Sequence, residues 1–107
     1  SRCIVLPIEL NYLTVDNSND FNIITFETAT EINNDYFTIE HSTDGTYWDI
    51  IEYVTGSGNS NLPIKYAVEH NNYINGDNYY RLTQYDYNGV KVYKYSDGSF
   101  KRILQIR

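Results

Sequence analysis

The 107-residue sequence has no Met, one Cys, two Pro and one Trp. Each shortage removes a class of explanation. A lone cysteine, Cys3, cannot form an internal disulfide, so the fold must stand on its own core. If the setting is oxidising, Cys3 is a candidate for pairing with another chain. No run of 18 apolar residues occurs, so no transmembrane helix and no membrane insertion are expected. Neither a signal peptide nor an initiating Met is present, and the sequence reads as a piece of a longer protein. Ala, Leu and Met, the better helix formers, are scarce, and no 3.6-residue periodicity of useful length appears.

Tyrosine is abundant, with 12 residues, and Ile, Val, Thr and Phe accompany it. These side chains suit pleated, half-buried surfaces. Hydrophobic residues make up 41% and charged residues 21%, which is globular rather than disordered composition. A chain of this length is one domain, and it buries enough surface for a single core. Net charge is −6, which argues against nucleic acid as a partner. The charge is uneven. Residues 1–80 carry twelve acids and two bases, whereas residues 81–107 carry two acids and six bases. The basic end is expected to pair with acidic neighbouring strands, or to dock on an acidic face of another copy.

Short alternating runs recur every eight to fifteen positions, separated by turn residues. The expected strands are Leu6–Val15, Phe21–Thr28, Tyr36–Ser42, Trp48–Val54, Ile64–Glu69, Asn78–Tyr87 and Val90–Tyr95. Alternation puts Ile24 and Phe26 on one face of the second run, and Phe37 and Ile39 on the core face of the third. Turns are expected at DNSND (Asp16–Asp20), in the Asn- and Asp-rich stretch before Tyr36, and at Asp44-Gly45. TGSGNSN (Thr55–Asn61) reads as a flexible loop, and HNNYINGDN (His70–Asn78) as a turn-rich link. Asn88-Gly89 is the best hairpin signal. The expected fold class is all-β: an antiparallel β-sandwich of about seven strands, spanning 1–107 as one domain with its core in about 6–96. Residues 97–107 are expected either to close that sheet or to be donated to another copy.

Four blocks of the sequence also resemble a known family. They are LPIEL (Leu6–Leu10), TFETATEINNDYFTIEHSTDG (Thr25–Gly45), GSGNSNLPIKY (Gly56–Tyr66) and NYYRLTQYDYNGV (Asn78–Val90). In this order they are similar to a fibronectin type III-like, immunoglobulin-like module common in secreted Bacteroidota proteins. It often precedes the C-terminal sorting signal of the type 9 secretion system. The resemblance implies a non-catalytic accessory domain, extracellular or on the outer cell surface. It supplies no catalytic residues.

The residues themselves point the same way. Acid–base hydrolysis needs two carboxylates facing one cleft. Glu27, Glu31, Asp35 and Glu40 are expected instead to be mostly solvated charges on turns and outer strand faces. The only histidines, His41 and His70, form no recognisable pattern with Cys3 for nucleophilic catalysis, so no enzyme activity is expected. No cofactor is implied. DNSND and NNYINGD (Asn71–Asp77) offer oxygens suited to Ca²⁺, but neither completes an EF-hand.

Six tyrosines fall on one expected hairpin: Tyr79, Tyr80, Tyr85, Tyr87, Tyr93 and Tyr95. Alternation puts Tyr79, Arg81, Tyr85 and Tyr87 on one face, with Tyr80 and Leu82 on the buried one. The first set is the candidate contact for a glycan or a protein partner, unless it serves only to pair across the sheet. The closing run alternates Phe100, Arg102, Leu104 and Ile106 against Lys101, Ile103 and Gln105. It is the candidate assembly strand. The expected partners are other domains of the parent protein, copies of the chain itself, or glycans.

Overall fold

The computed structural model describes residues 9–18, 20–71 and 73–88, and the backbone of 92–95. Cys3, Phe100, Arg102, Leu104 and Ile106 lie outside the described residues, as do Leu6 and Pro7 of the LPIEL block and Gly89 of the hairpin signal. No helix occurs among the described residues. The strands are β1 (Glu9–Ser18), β2 (Phe21–Ser42), β3 (Asp49–Ser60), β4 (Ile64–His70), β5 (Tyr79–Asp86) and β6 (Val92–Tyr95). All pairings are antiparallel.

β2 organises the molecule. Its first half lies between β1 and β4: Ile24 pairs with Val15 and Val68, and Phe26 with Leu13 and Tyr66. Its second half lies between β3 and β5: Phe37 pairs with Val54 and Gln84, and Ile39 with Glu52 and Leu82. β6 then pairs with β5. The result is sandwich-like, with a β1–β2–β4 sheet facing a β3–β2–β5–β6 sheet.

The two sheets meet through apolar side chains chosen by the period-two alternation of the strands. Ile24 and Phe26 from the first sheet and Phe37, Ile39, Tyr80 and Leu82 from the second are fully buried. Leu13 and Val68 complete the cluster. Phe26 and Phe37 approach edge-to-face with centroids 4.9 Å apart, and Tyr66 stacks on Phe26 at 4.8 Å. Such geometries are favoured by the ring quadrupoles.

Three expectations from the sequence are corrected. Phe21–Thr28 and Tyr36–Ser42 are not separate strands with a turn between them; they are parts of one continuous strand. Asn33, at φ 51°, makes the corner. Asn tolerates the left-handed region, so the chain changes sheets without leaving the ladder. TGSGNSN is mostly strand rather than loop, because β3 continues to Ser60 and pairs Gly58 with Asn34 and Ser60 with Glu31. Its glycines allow this. A Cβ on Gly56 would lie 2.3 Å from Asn34 Nδ2, and Gly58 has φ +79°. DNSND is likewise not wholly a turn, since β1 runs through Ser18, which pairs with Phe21.

Candidate functional site

Two carboxylates expected on the surface are buried. Glu31 is 1% exposed and sits just before the β2 corner. Its Oε1 accepts from Asn34 Nδ2 at 2.8 Å and from the Ser57 N–H at 2.9 Å. Its Oε2 accepts from the Thr28 hydroxyl at 3.0 Å and from the Tyr66 hydroxyl. Donors from β2, β3 and β4 thus converge on one carboxylate and tie both sheets to it. Burial pushes the Glu31 carboxyl up, but hydrogen bonds from Tyr66, Ser57 and Asn34 outweigh it and hold its pKa below the ordinary value. Tyr66 is shifted upward, first by burial and then by Glu31.

Glu40 is the second. It lies on the outer face of the β3–β2–β5–β6 sheet, opposite Arg81 of β5. Arg81 Nε and Nη2 both reach Glu40 Oε1 at 2.6 Å, and the Thr38 hydroxyl donates to Oε2 at 2.8 Å. Trp48 covers the guanidinium, with its ring centroid 4.2 Å from Cζ. A cation against an indole face is attractive. Arg81, a candidate contact residue, is therefore occupied within the molecule.

The tyrosine strip is also rearranged. Tyr80 and Leu82 are buried on the inner face. Tyr79, Arg81 and Tyr85 are half-buried on the outer face, and Tyr87 is exposed beyond the end of β5. Tyr85 stacks on Tyr36 of β2 at 4.5 Å and 9°, and Tyr53 of β3 lies 6.0 Å beyond Tyr36. A row Tyr53–Tyr36–Tyr85 therefore crosses three strands. Tyr36 and Tyr85 spend one ring face on each other, whereas Tyr53 remains 64% exposed. Ile50, opposite Glu40 in the ladder, is exposed on the same side. Burial, then the neighbouring Tyr85, Tyr53 and Asp35, raises the pKa of Tyr36. The side chains of Tyr93 and Tyr95 are outside the described residues.

The chain matches no known family model, and no curated protein or solved structure matches it.

The two histidines, 29 positions apart in sequence, meet at one end of the core, their ring centroids 4.5 Å apart. His41 Nε2 contacts Asn78 Oδ1 at 2.8 Å, and His70 Nδ1 contacts the Tyr80 hydroxyl at 2.6 Å. Asn22 Nδ2 donates to the same hydroxyl at 2.9 Å. Burial, then the neighbouring His41, lowers the His70 pKa to about 4. Burial raises that of Tyr80.

Side-chain amides stitch the two oxygen-rich stretches that offer oxygens to Ca²⁺. Asn17 Nδ2 donates to Asn22 Oδ1, and Asn78 holds the backbone of Ile74 and Gly76. Among the described residues, no three His, Cys, Asp or Glu side chains converge. Asp44, in the turn after β2, accepts from the Tyr47 and Thr46 N–H groups, which lowers its pKa.

Alternation at 36–42 could have placed Tyr36 and Glu40 opposite Phe37. It could not have named Tyr53 or Arg81 as their neighbours, or Trp48 as the cover of Arg81, because those contacts join residues 17 to 41 positions apart.

Proposed function

We propose that the chain is a structural and adhesive module of an exported or cell-surface protein, fibronectin type III-like in strand order and without chemistry of its own. The observation that carries this reading is the passage of β2 through both sheets, fixed at its corner by the buried Glu31. One strand shared by two sheets, with its crossing clamped by side chains from three strands, suits a rigid spacer. The division into β1–β2–β4 and β3–β2–β5–β6 supports the finer classification. The exposed pair Tyr53 and Ile50 supports the adhesive part. Aromatic and aliphatic side chains on a sheet face supply contact area at low entropic cost. The partner is a protein or glycan surface in the extracellular space, not nucleic acid.

The test is retention under flow of beads coated with the full chain, on protein-coated and polysaccharide-coated surfaces. Tyr53→Ser with Ile50→Ser is expected to abolish retention while moving unfolding stability by less than about 1 kcal/mol. Retention on no surface, or retention indifferent to this pair, would refute the adhesive reading. Retention on polysaccharide alone would assign the surface to glycans.

A further inference from the structure

β3 and β4 border one open flank of the molecule. Among the described residues each pairs only with β2, so each leaves an edge of backbone N–H and C=O groups facing outward. Between them lies an open cleft of about 480 Å³, lined by Glu52, Tyr53, Val54, Ala67, Val68 and Glu69. Val54 and Val68 belong to the core margin and form an apolar floor. Glu52 and Glu69 are exposed, and Asp49 adds a third acid at the start of β3. Lys65, the base on β4, stands four positions from Glu69. An unpaired edge over an apolar floor with an acidic rim is a template for a strand of basic and apolar residues.

The sequence contains such a segment. Residues 100–107, FKRILQIR, carry four apolar residues, three bases and no acid; in a strand Phe100, Leu104 and Ile106 share a face with Arg102, opposite Lys101, Ile103, Gln105 and Arg107. Covalent reach decides whose copy can supply it. β6 lies at the opposite edge of its sheet from β3. Strands are spaced by about 4.8 Å, so a strand added beyond β3 lies roughly 19 Å from β6. From Tyr95, the end of β6, to Phe100 the chain makes five steps, about 18 Å at most when fully extended, and it must also pass around the sheet rather than through it. The chain's own segment therefore falls short of the β3 edge.

We propose that the β3–β4 flank accepts residues 100–107 of a second copy, which add as a strand along the free edge of β3. Phe100, Leu104 and Ile106, on one face of the added strand, cover Val54 and Val68, while the long side chains of Lys101, Arg102 and Arg107 reach the rim acids Glu52, Glu69 and Asp49. The acceptor is the β3 edge and the donor segment follows β6, at the opposite edge of the sheet, so the contact is head-to-tail and propagates unless the rotation closes a ring. The uneven charge of the chain then has a role, with the acidic body of one copy receiving the basic end of the next.

Sedimentation of the full chain up to about 1 mM, a range that reveals weak association, tests this. Assembly is expected to grow with concentration and to weaken with added salt. Glu52→Lys with Glu69→Lys, or Lys101→Glu with Arg102→Glu, is expected to weaken it by about tenfold or more, because like charges then meet at the contact. Combining the two reversals is expected to restore it. All four positions are charged, and Glu52 and Glu69 are exposed, so rescue by the combined variant separates docking from misfolding. A chain that remains monomeric throughout, or assembles indifferently to both reversals, would overturn the proposal. So would protection from hydrogen exchange, in the dilute monomer, of the β3 amides that point away from β2, which would mean that the edge is already covered. Tyr53 lines both this cleft and the adhesive face, whereas Ile50 lines only the latter; a chain that stays monomeric yet adheres, and loses adhesion on Ile50→Ser alone, would refute the docking and leave the module reading intact.

Discussion

Replacing Glu31 tests whether the corner of β2 is held by its carboxylate. Glu31→Ala removes the acceptor for four donors: Asn34 Nδ2, the Ser57 N–H, and the hydroxyls of Thr28 and Tyr66. A buried donor without a partner costs about 1–3 kcal/mol. Their sum is an upper bound, because the two hydroxyls can rotate. An open cleft of about 430 Å³, lined by Thr30, Glu31, Ile32 and Asn59 among others, also brings water close. The expected loss is about 3–5 kcal/mol, which is large against the 5–15 kcal/mol typical of a whole domain. At roughly 4–8 °C per kcal/mol, the melting point falls by about 20 °C.

Glu31→Gln separates charge from shape. Its carbonyl oxygen can serve Asn34 and Ser57, whose N–H groups can only donate. Its amide can donate to the Thr28 and Tyr66 hydroxyls once they turn to accept. The expected cost is only about 1–2 kcal/mol, for exchanging charge-assisted bonds for neutral ones. Because the folded carboxyl titrates below its ordinary 4.5, its contribution is complete above that pH and is lost as pH falls through the folded value. The gap between wild type and Glu31→Gln should narrow in acid. Urea unfolding followed by the fluorescence of Trp48, the only tryptophan, measures all three proteins. A Glu31→Ala loss below about 1 kcal/mol, or equal losses for Ala and Gln, would refute the clamp.

Further predictions concern the histidine end and the glycines of β3. His70 has its pKa lowered from 6.5 to about 4, so unfolding takes up a proton between these values. Stability is complete above pH 6.5 and falls by up to about 3 kcal/mol as pH drops toward 4, at ~1.4 kcal/mol per unit. His70→Phe should flatten the unfolding midpoint across that window, and an unchanged slope would refute the assignment. Gly56→Ala should cost about 2–4 kcal/mol through overpacking, because the new Cβ meets Asn34 Nδ2 at 2.3 Å and its backbone oxygen at 2.9 Å. Gly45→Ala has open space but φ +76°, and should cost only about 1–2 kcal/mol by the same unfolding measurement. Equal losses would show that close packing at Gly56 is not what selects glycine.

How much of this was legible depends on the range of each interaction. The alternation of Ile24 and Phe26, of Phe37 and Ile39, and of Tyr80 and Leu82 is written within a few residues, and it assigned the core faces and the all-β class. Asn33, Asn34 and Asp35 favour a turn locally. Pairing with β3 and β5 instead kept the backbone of 31–36 in a ladder, bulged at Asn34, and made Asn33 a corner. Acidic residues were expected in water because a buried carboxylate is costly alone. Glu31 and Glu40 are buried because donors from distant strands converge on them, and no local pattern records that convergence. The same holds for His41 beside His70, and for Tyr85, which stacks on Tyr36 of β2. By itself the sequence determined which side chains alternate, and hence which faces are apolar. Only the tertiary structure decided which strands become neighbours, because pairing is fixed by contacts between residues far apart in the chain, and on that depends which polar groups can be buried with partners.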